Sequence, residues 1–185
     1  MNIHFSHVAF LVNSTETASA FLESQDIDCE EPEVFDSEGT KEVYVGSYEE
    51  ESGLLLLVEA VSDGPYKKAL TKRGPSLHHV AIDVLNIEEF LQKAQLAGWQ
   101  KHAISDQTLK HKTAWLFKKG VPTLIEVHQK KQLSTKPTKV TNLVLPITGE
   151  QQALFSGIGL GNVTPGEELS ITLDGLNFTF DQLKG

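Results

Sequence analysis

The chain has 185 residues, a formal net charge of −9 and a single cysteine. An acidic chain without a basic run among aromatics is not expected to bind nucleic acid or an anionic membrane as its main partner. No stretch approaches the roughly 20 apolar residues of a membrane helix, and the first residues lack the charged and apolar regions of a signal peptide. The lone Cys29 has no partner for an intrachain disulfide. These features predict a cytoplasmic protein.

An internal repeat determines the predicted architecture. Residues 7–12 read HVAFLV and residues 79–84 read HVAIDV, so four of the six positions are identical. Each segment is followed by an asparagine, Asn13 or Asn86, with a glutamate three positions later. Such a pair is typical of a helix start, where it satisfies free backbone N–H groups. We therefore predict a strand and then a helix at the beginning of each repeat.

Three strand-like segments follow each predicted helix. They read IDCEEPEVF, KEVYVGSY and GLLLLVEAV in the first half, and WQKHAI, TAWLFKK and GVPTLIEVH in the second. The order strand–helix–strand–strand–strand thus occurs twice. We predict an α+β fold in which two tandem βαβββ modules, residues 3–62 and 76–130, form a curved mixed sheet around a central cleft. Together they make up a first domain, residues 1–130.

The remaining residues, 131–185, do not form a third copy of the repeat. After a linker at 134–138, VTNLVLPI predicts a strand, and SITLDGLNFTF predicts a hairpin that turns at Asp174-Gly175. We expect a C-terminal β-rich extension that covers a sheet edge or packs in a dimer.

The repeat pairs two histidines with two glutamates. His7 and His79 open the first strand of their modules, and Glu59 and Glu126 each lie six residues after a glycine in the last strand. Related by a pseudo-twofold axis, the four side chains would converge in the cleft and bind one divalent ion, of zinc, cobalt, manganese, nickel, magnesium or iron. A single histidine at a strand start is more often a packing residue. However, Glu126 stands inside the apolar run LIEVH, where an unpaired carboxylate costs several kcal/mol.

The other histidines of the two modules are weaker candidates. Successive side chains of a strand point to opposite faces, so His78 should point away from its neighbour His79. His4 is expected to be structural or solvated. His128 shares a strand face with Glu126 and could line the cleft, although a structural role is the simpler interpretation.

The duplicated module, with a histidine at its start and a glutamate at its end, resembles the vicinal oxygen chelate superfamily. This superfamily includes glyoxalase I, methylmalonyl-CoA epimerase, extradiol dioxygenases and antibiotic-binding resistance proteins. GPSLHHVAIDV and TLIEVHQ are most similar to the epimerase branch. The resemblance covers about residues 3–130 and implies that His7, His79 and Glu126 bind metal.

The resemblance leaves two positions in the first module open. One placement of a gap puts Leu56, which cannot bind metal, where the internal spacing favours Glu59. The epimerase branch also uses a second acid/base carboxylate from the acidic loop of the first module. Glu31 occupies a comparable place, and Glu30 and Glu33 are its neighbouring alternatives.

Three functions follow as hypotheses. The first is a metal-dependent isomerase or lyase that transfers a proton next to a carbonyl through a metal-stabilised enolate, with Glu126 and Glu31 as the acid/base groups. The second is a non-catalytic protein that binds a small molecule, such as an antibiotic, on the same fold. The third is an Fe(II) extradiol-type dioxygenase, whose two histidines and one carboxylate would be His7, His79 and Glu126. Modules of this kind pair within or between chains, so a homodimer is also an expectation.

Overall fold

The computed structural model describes residues 2–185. The strands are β1 (Ile3–Val12), β2 (Glu33–Phe35), β3 (Thr40–Val45), β4 (Leu54–Ala60), β5 (Ser76–Val84), β6 (Gln100–Lys101), β7 (Thr113–Phe117), β8 (Leu124–Gln129), β9 (Val140–Leu145), β10 (Val163–Pro165), β11 (Ser170–Leu173) and β12 (Leu176–Thr179). The helices are α1 (Thr15–Glu23), α2 (Pro65–Arg73), α3 (Ile87–Leu96), α4 (Ser105–Thr108), α5 (Gly149–Gly157) and α6 (Phe180–Leu183). Within residues 2–185, none of the helices is long and apolar enough to cross a membrane.

The first eight strands form one mixed sheet in the order β2-β3-β4-β1-β5-β8-β7-β6. At its centre β1 and β5, the strands that carry the repeated HVA segments, pair antiparallel. Outside them, β4 pairs parallel with β1 and β8 pairs parallel with β5. The two halves are therefore related by a pseudo-twofold axis between β1 and β5, which confirms the predicted α+β fold of two βαβββ modules.

The two faces of this sheet have different coverings. One face, here called the helix face, carries Val8, Phe10 and Leu57 and packs against α1 and α3. The opposite face, here called the site face, carries a smaller apolar group around Ala9 and Leu56. Because side chains alternate along each strand, the histidines at positions 7 and 79 lie on the site face.

Helix α2 covers part of the site face. It connects the two modules and packs its apolar side chains against the apolar group of the first module. These side chains are Tyr66, Ala69 and Leu70, whereas Lys67, Lys68 and Lys72 are exposed. The helix thereby closes the first-module end of the cleft.

The C-terminal strands form a second sheet in the order β10-β9-β11-β12. As predicted, β11 and β12 form a hairpin, in which Asp174 and Gly175 take positive φ angles of 48° and 82°. This unit packs on the helix face of the large sheet, where Phe180 stacks edge-on against Phe10 at 5.1 Å between ring centroids. The indole of Trp99 also donates a hydrogen bond to the backbone carbonyl of Leu154 at 2.9 Å. Both sheets consequently share one continuous hydrophobic core.

The asparagine N-cap that the repeat predicts is found in one module only. Asn86 caps α3 by accepting a hydrogen bond from the backbone N–H of Glu89 at 3.1 Å. In the first module, Ser14 rather than Asn13 is the N-cap of α1. The side chain of Asn13 instead donates to the backbone carbonyl of Gly185 at 3.0 Å, which ties the C-terminus to the start of α1.

Candidate metal centre

Three of the predicted ligands converge on the site face. The Nε2 atoms of His7 and His79 lie 3.1 Å apart. Oε2 of Glu126 is 3.4 Å from Nε2 of His79 and 4.0 Å from Nε2 of His7. Among residues 2–185, these three form the one group of His, Cys, Asp or Glu side chains whose ligand atoms all lie within 4.8 Å of one another. We refer to them as the triad.

Two β-bulges orient the histidines of the triad. The register between β1 and β5 shifts at two places, which leaves Ser6 in β1 and His78 in β5 as extra residues. Each extra residue directly precedes a triad histidine, and its side chain approaches the Nδ1 atom of that histidine. Oγ of Ser6 lies 3.4 Å from Nδ1 of His7, and Nδ1 of His78 lies 2.9 Å from Nδ1 of His79. Since bulges redirect side chains, both Nε2 atoms are left facing Glu126.

The prediction that His78 points away from His79 is wrong. Strict alternation fails because His78 is the extra residue of a bulge, so both rings lie on the site face. The ring of His78 also packs on Tyr66 of α2 at 4.6 Å between centroids. The second histidine of the doublet therefore links the triad to the helix that covers the cleft.

The two triad histidines are neutral at neutral pH. Burial lowers the pKa of His7 to about 4, and it lowers the pKa of His79 well below the usual value for histidine. A neutral imidazole offers a free lone pair, as a metal ligand must. Two such nitrogens and the carboxylate of Glu126 are a donor set that fits zinc, cobalt, nickel, manganese or ferrous iron.

Glu59 lies apart from the triad. In the parallel pairing of β1 with β4, His7 is in register with Leu54, whereas Glu59 is in register with Val12 at the far end of the strand. Oε2 of Glu59 accepts hydrogen bonds from the backbone N–H of Thr15 at 2.9 Å and from its hydroxyl at 3.0 Å. Its carboxylate thus accepts hydrogen bonds from the first turn of α1, on the helix face.

Leu56 occupies the place in the first module that corresponds to Glu126. Glu126 is in register with Ala81, two residues after His79, and Leu56 is in register with Ala9, two residues after His7. The first module therefore presents an apolar side chain where the second presents a carboxylate. The triad therefore consists of two histidines and one carboxylate, with no ligand from β4.

The predicted second acid/base residue, Glu31, also lies away from the triad. It is exposed and lines a surface depression beside α1, together with Ser19 and Lys41. Of its neighbours, Glu30 accepts a hydrogen bond from the backbone N–H of Tyr48 at 3.0 Å, and Glu33 is exposed on the edge strand β2.

A different first-module glutamate, Glu42, lies on the site face. It alternates along β3 with Val43, which packs into the core on the helix face, and shares its side with Tyr44. Burial raises the pKa of Glu42, a hydrogen bond from Thr40 opposes the rise, and the charges of nearby glutamates, Glu126 among them, add to it. The alternation of side chains in KEVYV is the sequence signal that places Glu42 on this face.

His128 holds the second oxygen of Glu126. Nε2 of His128 lies 3.2 Å from Oε1 of Glu126. Burial opposes a charge on this ring, but the carboxylates of Asp83 and Glu126 outweigh burial and raise the pKa of His128 to about 9. In the absence of metal the ring is therefore an imidazolium at neutral pH, and it orients Glu126 toward the triad.

A cavity of about 510 Å³ opens beside the triad. Ser6 and Leu54, the neighbours of His7 in sequence and in register, line its inner end together with Tyr44. The segment 130–136, which leads to the C-terminal unit, forms its opposite wall. The cavity thus adjoins the triad at Ser6 and Leu54, while His7, His79 and Glu126 themselves do not line it.

No family model and no curated protein matches this sequence. Among solved structures, a hypothetical protein from Bacillus halodurans C-125 has a TM-score of 0.56 and 24% sequence identity over 74% of this chain and 100% of its own. A methylmalonyl-CoA epimerase in complex with methylmalonyl-CoA and NH4+ has a TM-score of 0.53 and 15% identity, over 72% of this chain and 100% of its own. A Streptomyces coelicolor methylmalonyl-CoA epimerase variant in complex with 2-nitronate-propionyl-CoA has a TM-score of 0.51 and 16% identity, over 69% and 98% of the two chains.

These comparisons show that the chain shares its fold with methylmalonyl-CoA epimerases and with the hypothetical protein from Bacillus halodurans C-125.

Proposed function

We propose that the protein is a metal-dependent isomerase or lyase that transfers a proton next to a carbonyl group of a small molecule. The observation that carries this proposal is the convergence of His7, His79 and Glu126 on one face of the sheet. A divalent ion bound there would supply Lewis-acid polarisation of a substrate oxygen. The ligands we propose are these three, and Glu59, which binds Thr15, is not among them.

The residues for proton transfer would be Glu126 and Glu42. They belong to different modules and lie on the same face of the sheet, and in this proposal each acts on a different side of the bound substrate. An epimerisation needs such a pair, because the proton leaves from one face of a planar intermediate and returns to the other. Burial raises the pKa of Glu42 above its usual value, which makes this carboxylate a better proton acceptor. Glu42 replaces Glu31 in this role, because Glu31 lies beside α1.

The walls of the cavity favour a polar substrate. Its inner end and rim carry hydroxyl groups and both signs of charge: Ser6, Tyr44, Tyr48, Glu51, Ser134, Thr135 and Lys136 line it. Two of the structural neighbours were solved with acyl-CoA ligands. Methylmalonyl-CoA is therefore the first compound to test, ahead of smaller carbonyl acids.

The test is exchange of the acidic proton for deuterium. Metal-loaded protein is incubated in D2O with methylmalonyl-CoA and then with a panel of 2-substituted carbonyl acids, and incorporation at the carbon next to the carbonyl is followed by NMR. Glu126→Gln should slow the exchange by about 10²-fold or more, whereas the matched variant Glu59→Gln should retain it. If metal-loaded protein exchanges no compound of the panel, proton transfer is excluded for this substrate class, and a non-catalytic binding protein becomes the better description.

One observation favours a second candidate, an Fe(II) extradiol-type dioxygenase. With Leu56 on the site face, two histidines and one carboxylate remain, which is the ligand set of non-haem Fe(II) oxygenases. Protein purified without oxygen and loaded with Fe(II) should then consume O2 in the presence of catechols. Iron retained in preference to zinc, together with O2 uptake, would move the assignment to this class.

The division of the chain at about residue 130 is part of the proposal. Every triad residue belongs to 1–130, whereas residues 131–185 supply the packing on the helix face and one wall of the cavity. Pairing of two chains and a cytoplasmic location stay predictions.

A further inference from the structure

His78 contacts the nitrogen of His79 that does not belong to the triad. Nε2 of His79 faces His7 and Glu126, whereas its Nδ1 lies 2.9 Å from Nδ1 of His78. In a regular strand, two successive side chains point to opposite faces of the sheet. Here the β-bulge at His78 places both rings on the site face and brings the two Nδ1 atoms together. A residue that a regular strand would turn away is therefore in contact with a triad histidine.

An ion in the triad requires that the proton of each imidazole sits on Nδ1. A neutral imidazole carries one proton, and the nitrogen that binds a metal must be bare. The nitrogens of His7 and His79 that face each other and Glu126 are the two Nε2 atoms. Nδ1 of His79 is then an N–H donor, and this residue is only 2% exposed, so solvent has little access to it. The donor needs an acceptor within the protein.

The short distance between the two Nδ1 atoms fixes the direction of their hydrogen bond. A separation of 2.9 Å is within the range of a good hydrogen bond. Two N–H groups cannot face each other at this distance. When Nδ1 of His79 donates, Nδ1 of His78 must therefore be bare and accept, and the proton of a neutral His78 ring lies on its Nε2. His78 is thus the acceptor that the metal-binding tautomer of His79 requires.

Two aromatic side chains hold the ring of His78 in this orientation. The ring of Tyr66, from α2, stacks on it with 4.6 Å between the centroids and 32° between the planes. Trp115, from β7, meets it nearly edge-on at 6.5 Å and also packs against His79 at 5.2 Å. The plane of the His78 ring is consequently set by its packing against α2 and β7 and not by the backbone alone.

The first module makes a weaker contact at the equivalent place. Ser6 is the extra residue of the other bulge, and its Oγ lies 3.4 Å from Nδ1 of His7. This distance is beyond the usual range of an effective hydrogen bond. Of the two triad histidines, His79 is therefore the more firmly oriented.

We propose that His78 is a positioning residue of the metal centre, which accepts the Nδ1–H of His79 and so presents the Nε2 lone pair of that ligand to the ion. The hydrogen bond made by one ring nitrogen decides which nitrogen of a histidine binds the metal, and such outer partners contribute about 10- to 100-fold to metal affinity. Because Tyr66 packs on His78, the same contact links the ion to α2, the cover of the cleft. The inference rests on the metal centre of the proposed function and not on its reaction.

The test is the Zn²⁺ affinity of metal-free, full-length variants, measured by competition with a chromophoric chelator. His78→Phe keeps a ring for Tyr66 and Trp115 to pack on but has no acceptor, so it should weaken binding by about 10- to 100-fold. His78→Asn supplies a side-chain oxygen as acceptor in place of Nδ1, so its affinity should stay within about threefold of the wild type. Ser6→Ala, the matched change in the other module, should lose less than His78→Phe. Replacement of the exposed His111 by alanine is the control for zinc on surface histidines and should lose nothing.

An NMR signature separates the hydrogen bond from ring packing. In zinc-loaded wild-type protein with isotope-labelled histidine, a scalar coupling through the hydrogen bond should join the Nδ1 nuclei of His78 and His79. Nε2 of His79 should at the same time show the chemical shift of a metal-bound nitrogen. Packing of two rings produces no such coupling. Because the measurement needs no variant, it decides the question even where a variant does not fold.

Three results would overturn the proposal. The first is a folded His78→Phe protein that binds zinc as tightly as the wild type, with folding checked by circular dichroism. The second is a His78→Asn protein that binds zinc as weakly as His78→Phe, and the third is zinc-loaded wild type without coupling between the two Nδ1 nuclei. In all three the wild type still binds zinc. A wild type that binds no zinc would instead overturn the metal centre of the triad and this inference with it, so the two failures are distinguishable.

Discussion

Glu126 contacts a different histidine with each of its carboxylate oxygens. Oε2 faces Nε2 of His79 at 3.4 Å, and Oε1 faces Nε2 of His128 at 3.2 Å. The first contact belongs to the triad, whereas the second comes from the same strand, two residues along. Glu126 is consequently oriented before any ion binds.

The contact with His128 predicts a loss of metal affinity when this ring is removed. His128→Ala should weaken binding at the triad by about 10- to 100-fold, because outer partners that orient a ligand contribute that much. Competition with a chromophoric chelator measures the change, with His111→Ala as the control. An unchanged dissociation constant at the triad would mean that Glu126 is held by the strand alone.

The same ring predicts a decline of stability at high pH in the metal-free protein. The pKa of His128 is raised to about 9, above the usual value of 6.5. Its stabilising charge is fully present below pH 6.5 and is lost as the pH rises through 9. The free energy of unfolding in urea should fall on the order of 2 kcal/mol more between pH 7 and pH 10 in the wild type than in His128→Gln. If the free energy of unfolding depended on pH in the same way in both proteins, His128 would not be a charged imidazolium paired with carboxylates in the folded state.

The internal repeat was sufficient to predict that His7, His79 and Glu126 lie close together. Its two copies lie about a pseudo-twofold axis, so equivalent positions meet on one face of the sheet. The same argument placed Glu59 in the group through its distance from Gly53, and here the spacing was misleading. Gly53 directly precedes β4, whereas Gly120 stands four residues before the first residue of β8, Leu124. Counting from the two glycines therefore moves the match by three residues, from Leu56 to Glu59.

Other parts of the site depend on backbone details that a single sequence does not display. The β-bulge that brings His78 beside His79 arises from the pairing of β5 with β1, and nothing in HHVAIDV alone indicates it. Helix α2 contains many charged residues, and only its packing identifies Tyr66, Ala69 and Leu70 as the cover of the site face. The position of Glu42 on the site face is predictable from the sequence, because strand alternation alone places it on that face.

The register of β4 predicts that Glu59 contributes to the stability of the fold and not to metal binding. Glu59→Ala removes the acceptor for the backbone N–H of the fully buried Thr15. An unsatisfied buried donor at a helix start should lower the free energy of unfolding by about 1–3 kcal/mol. Zinc affinity should stay within twofold of the wild type, which chelator competition checks. If zinc binding failed in a folded Glu59→Ala protein, this glutamate would return to the ligand set.

Burial of the triad predicts an unusual pH dependence of metal binding. The pKa of His7 is lowered to about 4 by burial, and that of His79 lies well below the usual value. A ligand histidine of ordinary pKa would begin to lose its metal to protons below about pH 6.5. Here protons compete only as the pH falls toward 4, so zinc affinity at the triad should change little between pH 8 and pH 6 and drop steeply below pH 5.

Calorimetry over this range, in buffers of different ionisation enthalpy, also counts the protons released on binding, and we expect close to none from the triad at pH 7. Release of one proton or more at pH 7 that persists in His128→Gln would show that a triad imidazole is charged before the ion binds, against its burial.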